Sequence, residues 1–329
     1  MDQVTNNQKK PDEAKLEVQS YAEAELKQLA NAERLERFIE LSARQPYFRG
    51  SNVLAMLNQM PDAVFMADFE NYKKAGYDIK KGEKAAKSIG SNKYKALADY
   101  NDRKWHYDSH WTDEDKAYAQ NNPEQVKEFS QSTVAYFFDI TQTNATQADI
   151  DKVTQNKPAI SSNENTYTKV IDHLFENIKK QPRENMFCDV RSDKNNPDYT
   201  AHELGLLAAQ LYMPEIRDGL AEELPQALLK AELFAAIHDK MLGAEVPRHS
   251  ISTIVDTANE MLANGKEKDL MKLVNDGSKA IKECSKEYAQ DLKLYTRPKL
   301  DKCTAERNFA KNQEKEPERK VTNQEISFR

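Results

Sequence analysis

The segment from Tyr47 to Ile89 constrains the fold most, because it carries clear start and stop signals for short elements. An apolar run ends at Pro61, and proline cannot continue a helix. A second short helix is predicted between Asp68, a good N-terminal cap, and Gly76, which can adopt the left-handed C-terminal conformation. Two extended pieces then flank a turn at Gly82. The pattern predicts two short helices followed by the start of a sheet.

The rest of the chain predicts an α+β fold. Residues 133–141, TVAYFFDIT, are dense in aromatic and branched side chains, which is typical of a strand. Residues 14–43 place much of their apolar surface along one stripe, as in a long amphipathic helix, with a break predicted near Asn31. With only nine glycines in 329 residues, the composition favours helix. We expect a small antiparallel sheet with packed helices in an N-terminal domain, and a mainly α-helical C-terminal domain.

Positive charge is concentrated in one part of a chain whose formal net charge is −6. The eighteen residues from 70 to 87 contain six lysines and three carboxylates, with tyrosines between them. Lysines neutralise phosphates regardless of sequence, and aromatic rings stack on unpaired bases. A run of charge is also typical of an ordinary solvated face. The pattern alone leaves both interpretations open.

Several motifs in this region occur in the order found in a known family. The first helix carries Tyr47 with Ser51, Asn52 and Leu54, and then QMP at 59–61. The motifs FxxYKKxG from Phe69, IKKGEK from Ile79 and FDITQT from Phe138 follow. Together they resemble the N-terminal single-stranded DNA-binding domain of ArdC-type antirestriction proteins, a family that includes LtrC-like proteins of conjugative elements. The resemblance covers residues 14–143, with an insertion at 92–131.

This resemblance implies a set of residues that contact single-stranded DNA. The predicted phosphate contacts are the lysines Lys73, Lys74, Lys80, Lys81, Lys84 and Lys87. The predicted stacking rings are Tyr47, Tyr72 and Tyr77, and the predicted hydrogen-bonding side chains are Arg49 and Asn52. The insertion contains both tryptophans, which could extend a stacking surface, but its carboxylates nearly balance its basic residues. We therefore expect a loop and a helix that dock onto the domain.

The second half of the chain resembles a metallopeptidase domain that has lost a ligand. Residues 144–163 are polar and predict a linker, followed by a mainly helical domain over 164–303. The sequence HELGL from His202 resembles the start of an HExxH zinc motif, but Leu206 stands where the second histidine belongs. In fuller members of the family a downstream helix supplies a glutamate ligand, and Glu232 in KAELFAAI corresponds to it.

Because leucine has no lone pair to donate, the resemblance implies a degenerate, non-catalytic domain without a metal or other cofactor. We expect His202 and Glu203 to be surface or capping residues. Two alternatives stay open: a zinc peptidase with an exchanged ligand, and a helical scaffold for partner proteins. Residues 1–13 and 304–329 lack apolar periodicity and are expected to be disordered tails.

The cellular context can also be inferred from composition. The cysteines Cys188, Cys284 and Cys303 are too few and too far apart for a disulfide framework, which favours a reducing compartment. The N-terminus has no apolar signal sequence, and no apolar stretch is long enough to span a bilayer. These features predict a cytoplasmic protein, and the resemblance to the ArdC-type family implies a protein of a conjugative or other mobile element that binds single-stranded DNA. Conjugation or replication proteins are further candidate partners.

Overall fold

A computed structural model describes residues 9–98, 105–155, 164–180, 201–216 and 224–292. These residues form many helices around a small antiparallel sheet, which confirms the α+β class. The helices are α1 Lys9–Leu26, α2 Ala32–Arg44, α3 Gly50–Gln59, α4 Phe69–Lys74, α5 Asp113–Asn121, α6 Gln147–Gln155, α7 Glu164–Lys179, α8 Ala201–Tyr212, α9 Pro225–Met241, α10 Arg248–Ala263 and α11 Glu267–Glu287. The strands are β1 Met66–Ala67, β2 Ala86–Ala98, β3 Trp105–Tyr107 and β4 Val126–Asp139.

Several short-range sequence signals are confirmed. Asn31 separates the first two helices and caps α2 by accepting a hydrogen bond from the Arg34 N–H at 3.2 Å. Asp68 caps α4 through the Asn71 N–H at 2.8 Å. Gly76 and Gly82 have φ angles of 79° and 95°, a region that glycine enters without steric cost. Capping and turn residues in the sequence therefore predicted these element ends correctly.

The sheet has the order β1-β4-β2-β3, with all pairs antiparallel. Strands β2 and β4 pair residue by residue from Ala86 with Phe137 to Leu97 with Val126, and we call this pair the β2–β4 ribbon. The prediction that the insertion is a docked loop and helix is therefore wrong for residues 92–97 and 126–131, because these residues extend the two strands. These two stretches read NKYKAL and VKEFSQ, and their several charged and polar residues weaken the hydrophobic signal of a strand.

One hydrophobic core joins the two halves of the chain. It runs from Val18 on α1 and Leu54 on α3 to Leu204 on α8 and Phe234 on α9, all at most 1% exposed. Helix α9 contacts α2, α8, α10 and α11. The two predicted domains thus share a core, while their boundaries stay a prediction.

Two predicted segment boundaries need correction. Helix α1 begins at Lys9, so the segment predicted to be disordered up to residue 13 is helical over its last part. Helix α6 lies inside the predicted linker, where its Val153 packs in a smaller cluster with Phe65, Tyr77 and Ile140. Ile150 packs against the same cluster, but most of the other α6 residues are polar, which explains why its sequence is typical of a linker. The linker residues 156–163 and the tail 304–329 lie outside the described residues.

Within the described ranges, no helix has both the length and the apolar character needed to cross a bilayer.

Candidate nucleic-acid groove and buried histidine cluster

An open groove of about 780 Å³ lies between α1, the start of α3, the base of the β2–β4 ribbon and α11. Tyr47 and Arg49, two of the predicted DNA contacts, line it together with Lys15 and Glu23 of α1. Arg49 is exposed, whereas Tyr47 is half-buried. Residues 89–91 of β2 also line it. The groove therefore offers a ring, a guanidinium and a strand on one surface.

The side chain of Asn52 lines the same groove but is bound to the protein backbone. Its amide donates to the Ile89 carbonyl at 2.8 Å and accepts from the Ile89 N–H at 3.3 Å. Gln59, seven residues further along α3, does the same at Lys87, at 2.9 and 2.8 Å. These two amides replace a neighbouring strand along β2. The predicted DNA hydrogen bond of Asn52 is therefore corrected to a structural one.

Tyr72 and Tyr77 are 0% and 4% exposed, so neither ring has a face available for a base. Their ring centroids lie 6.0 Å apart in an edge-to-face contact, and the Tyr72 hydroxyl donates to the Phe65 carbonyl at 2.8 Å. Burial raises the pKa of Tyr72. The stacking role predicted for both tyrosines is corrected, because they form the core beneath α4.

Two exposed aromatic residues were missed by the sequence prediction. Phe69 on α4 and Tyr136 on β4 are each 54% exposed. Phe69 stands one helical turn before Lys73, and Tyr136 is the cross-strand partner of Lys87. The available signal was periodicity, because alternation along β4 puts Tyr136 and Phe137 on opposite faces. These rings, rather than Tyr72 and Tyr77, have faces that a base could reach.

The predicted lysines fall into two classes. Lys80 donates to the Thr141 carbonyl at 2.8 Å, and Lys87 forms a 2.6 Å ion pair with Glu17. Lys74 lies 3.6 Å from Glu70 in an exposed pair. Lys73, Lys81 and Lys84 are exposed, and their side chains have no ion pair or hydrogen bond within the described ranges. The latter three are the cations best able to receive a phosphate.

The FDITQT motif fixes the turn that carries these lysines. The Gln142 side-chain amide donates to Glu83 at 2.9 Å and to the Lys84 backbone carbonyl at 3.0 Å, and the Gln142 backbone carbonyl accepts from the Lys80 N–H at 2.9 Å. The buried carboxylate of Asp139 accepts from the N–H groups of residues 64 and 65 at 2.7 and 2.8 Å. The turn is thereby held against the end of β4. Five residues of chain, at most about 18 Å, separate Lys84 from the groove at Ile89.

A second cluster lies buried between α8 and α9, around His202. Its Nε2 lies 2.9 Å from a Glu232 oxygen, and its Nδ1 lies 2.7 Å from an Asp239 oxygen. Burial lowers the pKa of His202, but the hydrogen bonds to Asp239 and Glu232 outweigh burial and raise it to about 9. Both ring nitrogens therefore donate. The prediction that His202 is a surface or capping residue is wrong, since it is 5% exposed, whereas Glu203 is exposed.

Close packing of α8 on α9 creates this cluster. A Cβ at Gly205 would lie 2.8 Å from the Ala235 Cα, so only glycine permits this approach. Glu232 does face His202, as the resemblance implied, but the two side chains bond directly to each other. Leu206 is half-buried one turn further along α8. Among the described residues, no three His, Cys, Asp or Glu side chains are arranged to hold a metal ion.

Comparisons of the chain with protein-family models, with curated proteins and with solved structures find no match. The resemblance to the ArdC-type family therefore stays a prediction, and function must be argued from the residues themselves.

Proposed function

We propose that this protein binds single-stranded DNA with little sequence preference, through the groove and the neighbouring lysine turn. The observation that carries the proposal is that Tyr47 and Arg49 line the same open groove. Ile89, which also lines it, is at most about 18 Å from Lys84 along the chain. A ring and separated cations on one path are what an unpaired strand requires, because bases stack and phosphates are neutralised.

Each part of this surface has a distinct role. The Arg49 guanidinium can hold a phosphate with two hydrogen bonds, which a lysine cannot. Lys81 and Lys84 extend the phosphate contacts beyond the groove, and Tyr47 offers a ring to a base. Phe69 and Tyr136 supply further exposed rings near Lys73 and Lys87. Each phosphate contact adds about 0.7 to the log–log salt slope on single strands, so the few cations in this chain of net charge −6 predict moderate affinity and a modest salt dependence.

The biological role follows from the family resemblance. A protein of this kind on a conjugative or other mobile element would cover transferred single strands and protect them from host nucleases or restriction. We place it in the cytoplasm, with conjugation or replication proteins as candidate partners, and without a catalytic role for the His202 cluster.

The test is a salt titration by fluorescence anisotropy with a labelled single-stranded oligonucleotide and its duplex. We expect tighter binding to the single strand and a log–log salt slope that falls by about 1.4 in K81A/K84A, since each phosphate contact contributes about 0.7 on single strands. The separate variant Arg49→Ala should also weaken binding to the single strand. The control K169A/K286A removes the same number of exposed lysines from α7 and the end of α11, away from the groove, although Lys286, unlike Lys81 and Lys84, pairs with Glu283 at 2.9 Å.

Equal affinity for duplex and single strand would contradict the proposal. Unchanged salt slopes in both K81A/K84A and Arg49→Ala would do so as well, because the cations assigned to the phosphates would then be elsewhere.

A further inference from the structure

The edge of β2 that faces away from β4 presents the backbone N–H and carbonyl groups of the odd-numbered residues. Asn52 and Gln59 bond both the N–H and the carbonyl of Ile89 and Lys87, so these odd-numbered residues direct their backbone groups away from β4. The pairing of β2 with β4 continues without a bulge from residue 86 to residue 97. Backbone direction alternates along a strand, so Ser91 and Lys93 must face the same edge as Ile89.

This edge is open over a short interval. Asn52 covers it at Ile89, and strand β3 begins to pair with β2 at Ala96. Between them, the backbone N–H and carbonyl groups of Ser91 and Lys93 have no hydrogen-bond partner in the ranges that the structure describes. Both residues are exposed, and Ser91 lines the groove. The interval therefore presents two donor–acceptor pairs next to the groove.

We propose that this edge binds an extended acidic peptide of a partner protein, which adds as a strand beside β2. Strand addition is a general mode of peptide recognition, in which main-chain hydrogen bonds give affinity and side chains give specificity. Two residues that face the edge supply up to four main-chain hydrogen bonds. The proposal goes beyond DNA binding and does not depend on it.

A peptide fits this edge better than a nucleic acid does. Each edge residue offers one N–H and one carbonyl, and a peptide strand complements both. A phosphate can only accept, so it would leave the carbonyls of Ser91 and Lys93 unpaired and close to a negative charge. The alternating donors and acceptors thus favour a peptide.

The charges around the edge determine the kind of peptide. Lys93 is exposed on the edge, and Lys15 and Arg49 line the adjoining groove, where Glu23 is the opposing carboxylate. Glutamate or aspartate at alternate peptide positions would lie beside these cations. A second copy of the same edge would instead bring Lys93 and Lys95 of both copies together, and like charges oppose that pairing.

The groove also accommodates an anchor residue. Phe48, Ile89 and Met271, all half-buried, provide apolar surface at the end of the open edge. A peptide with one apolar residue followed by alternating acidic residues could bury that residue in the groove and continue along Ser91 and Lys93. Buried anchors of this kind dominate the affinity of many interfaces.

The experiment is a selection of displayed random octapeptides on the full chain, with counter-selection on Lys93→Pro. Proline removes the edge N–H of residue 93 but no bond to β4, because the neighbouring even-numbered residues make those bonds. Lys93→Thr is the matched control, since it removes the same side chain and keeps the N–H. We expect selected peptides to be acidic, to bind Lys93→Thr at least tenfold more tightly than Lys93→Pro, and to protect the Ser91 and Lys93 amides from hydrogen exchange.

Three results would overturn the proposal: no enrichment over the counter-selection, equal affinity for the two variants, or bound peptides that leave both amides unprotected. Protection of these amides by a single-stranded oligonucleotide instead of a peptide would assign the edge to nucleic acid. The titration of DNA with Lys93→Pro is independent of these outcomes, so a failure here would not count against single-strand binding in the groove.

Discussion

His202 and His238 lie close together in the core but carry opposite protonation states. His202 is held as a cation by two carboxylates, with a pKa raised to about 9. His238, fully buried on α9 with its Nε2 2.8 Å from the Tyr288 hydroxyl, stays neutral. Burial, together with the charge of His202, lowers its pKa to about 3. The two residues therefore respond to pH in opposite directions.

The signs follow from comparison with an unfolded histidine, whose pKa is about 6.5. For His238 the unfolded state binds more protons between pH 6.5 and 3, so its stabilising contribution is complete above 6.5 and is lost as the pH falls. For His202 the contribution is complete below 6.5 and is lost as the pH rises to about 9. Together, these two residues favour a stability maximum near pH 6.5.

We predict that titration of His238 lowers the free energy of unfolding, measured by urea denaturation, as the pH falls from 6.5 to 4. Asp239 opposes this decrease, because burial raises its pKa to about 6 and the folded state then binds its proton first. His238→Gln should lower the absolute stability but make the free energy of unfolding less dependent on pH. The slope should change by the equivalent of up to one bound proton, because the buried group no longer titrates. Identical pH slopes for the variant and the wild-type protein would contradict the assignment of a neutral buried His238.

At the scale of an element, α3 serves as a substitute strand for β2. Asn52 and Gln59 lie on one face of the helix and bond alternate β2 residues, Ile89 and Lys87. Replacing either amide by alanine leaves a backbone N–H and a carbonyl without a partner. For partly buried groups such a loss costs about 1–2 kcal/mol.

We predict that Asn52→Ala and Gln59→Ala will each reduce the free energy of unfolding by this amount, measured by urea denaturation, and that neither will change the salt slope of DNA binding. Gln59 is the matched control, since it makes the same contact outside the groove. A weaker DNA affinity in Asn52→Ala with unchanged stability would restore the DNA contact predicted from the sequence.

The contrast between predicted and observed elements has a physical cause. The caps at Asn31 and Asp68 and the turn at Gly82 are local, so a few neighbouring residues determine them. The outer β2–β4 ribbon depends on register between residues far apart in sequence, and its polar side chains give little indication of it. Helix α4 is only six residues long, which is too short for its sequence to show that Tyr72 faces the core and Phe69 faces solvent.

At the scale of the whole molecule, the two candidate sites differ in how far they could be predicted. Tyr47 and Arg49 are near neighbours in the chain, so the sequence places them together in the groove. His202 meets Glu232 and Asp239 across 30 and 37 residues. Their convergence depends on the close approach of α8 and α9, which spacing alone cannot reveal.

The shared core also implies that the two halves of the chain unfold together. Gly50, at the start of α3, lies against α11 so closely that a Cβ there would be 2.6 Å from the Val274 Cγ1 and from the Ser278 Oγ. Gly277, on α11 itself, has no atom within 4 Å of the corresponding Cβ position, considering atoms outside its own helix. The two glycines therefore form a matched pair for testing this contact.

We predict that Gly50→Ala will destabilise the protein by about 1–3 kcal/mol, because overpacking forces side chains or backbone to shift. Gly277→Ala should instead be neutral or stabilising by up to about 1 kcal/mol, since alanine is the better helix former. Urea unfolding should be followed both by tryptophan fluorescence, which reports on the ribbon region, and by circular dichroism, which reports mainly on the helices. If α3 and α11 belong to one cooperative unit, the two signals will coincide in the wild-type protein and will shift together in Gly50→Ala. Separate transitions, with only one moved by the substitution, would instead support two independently folding domains.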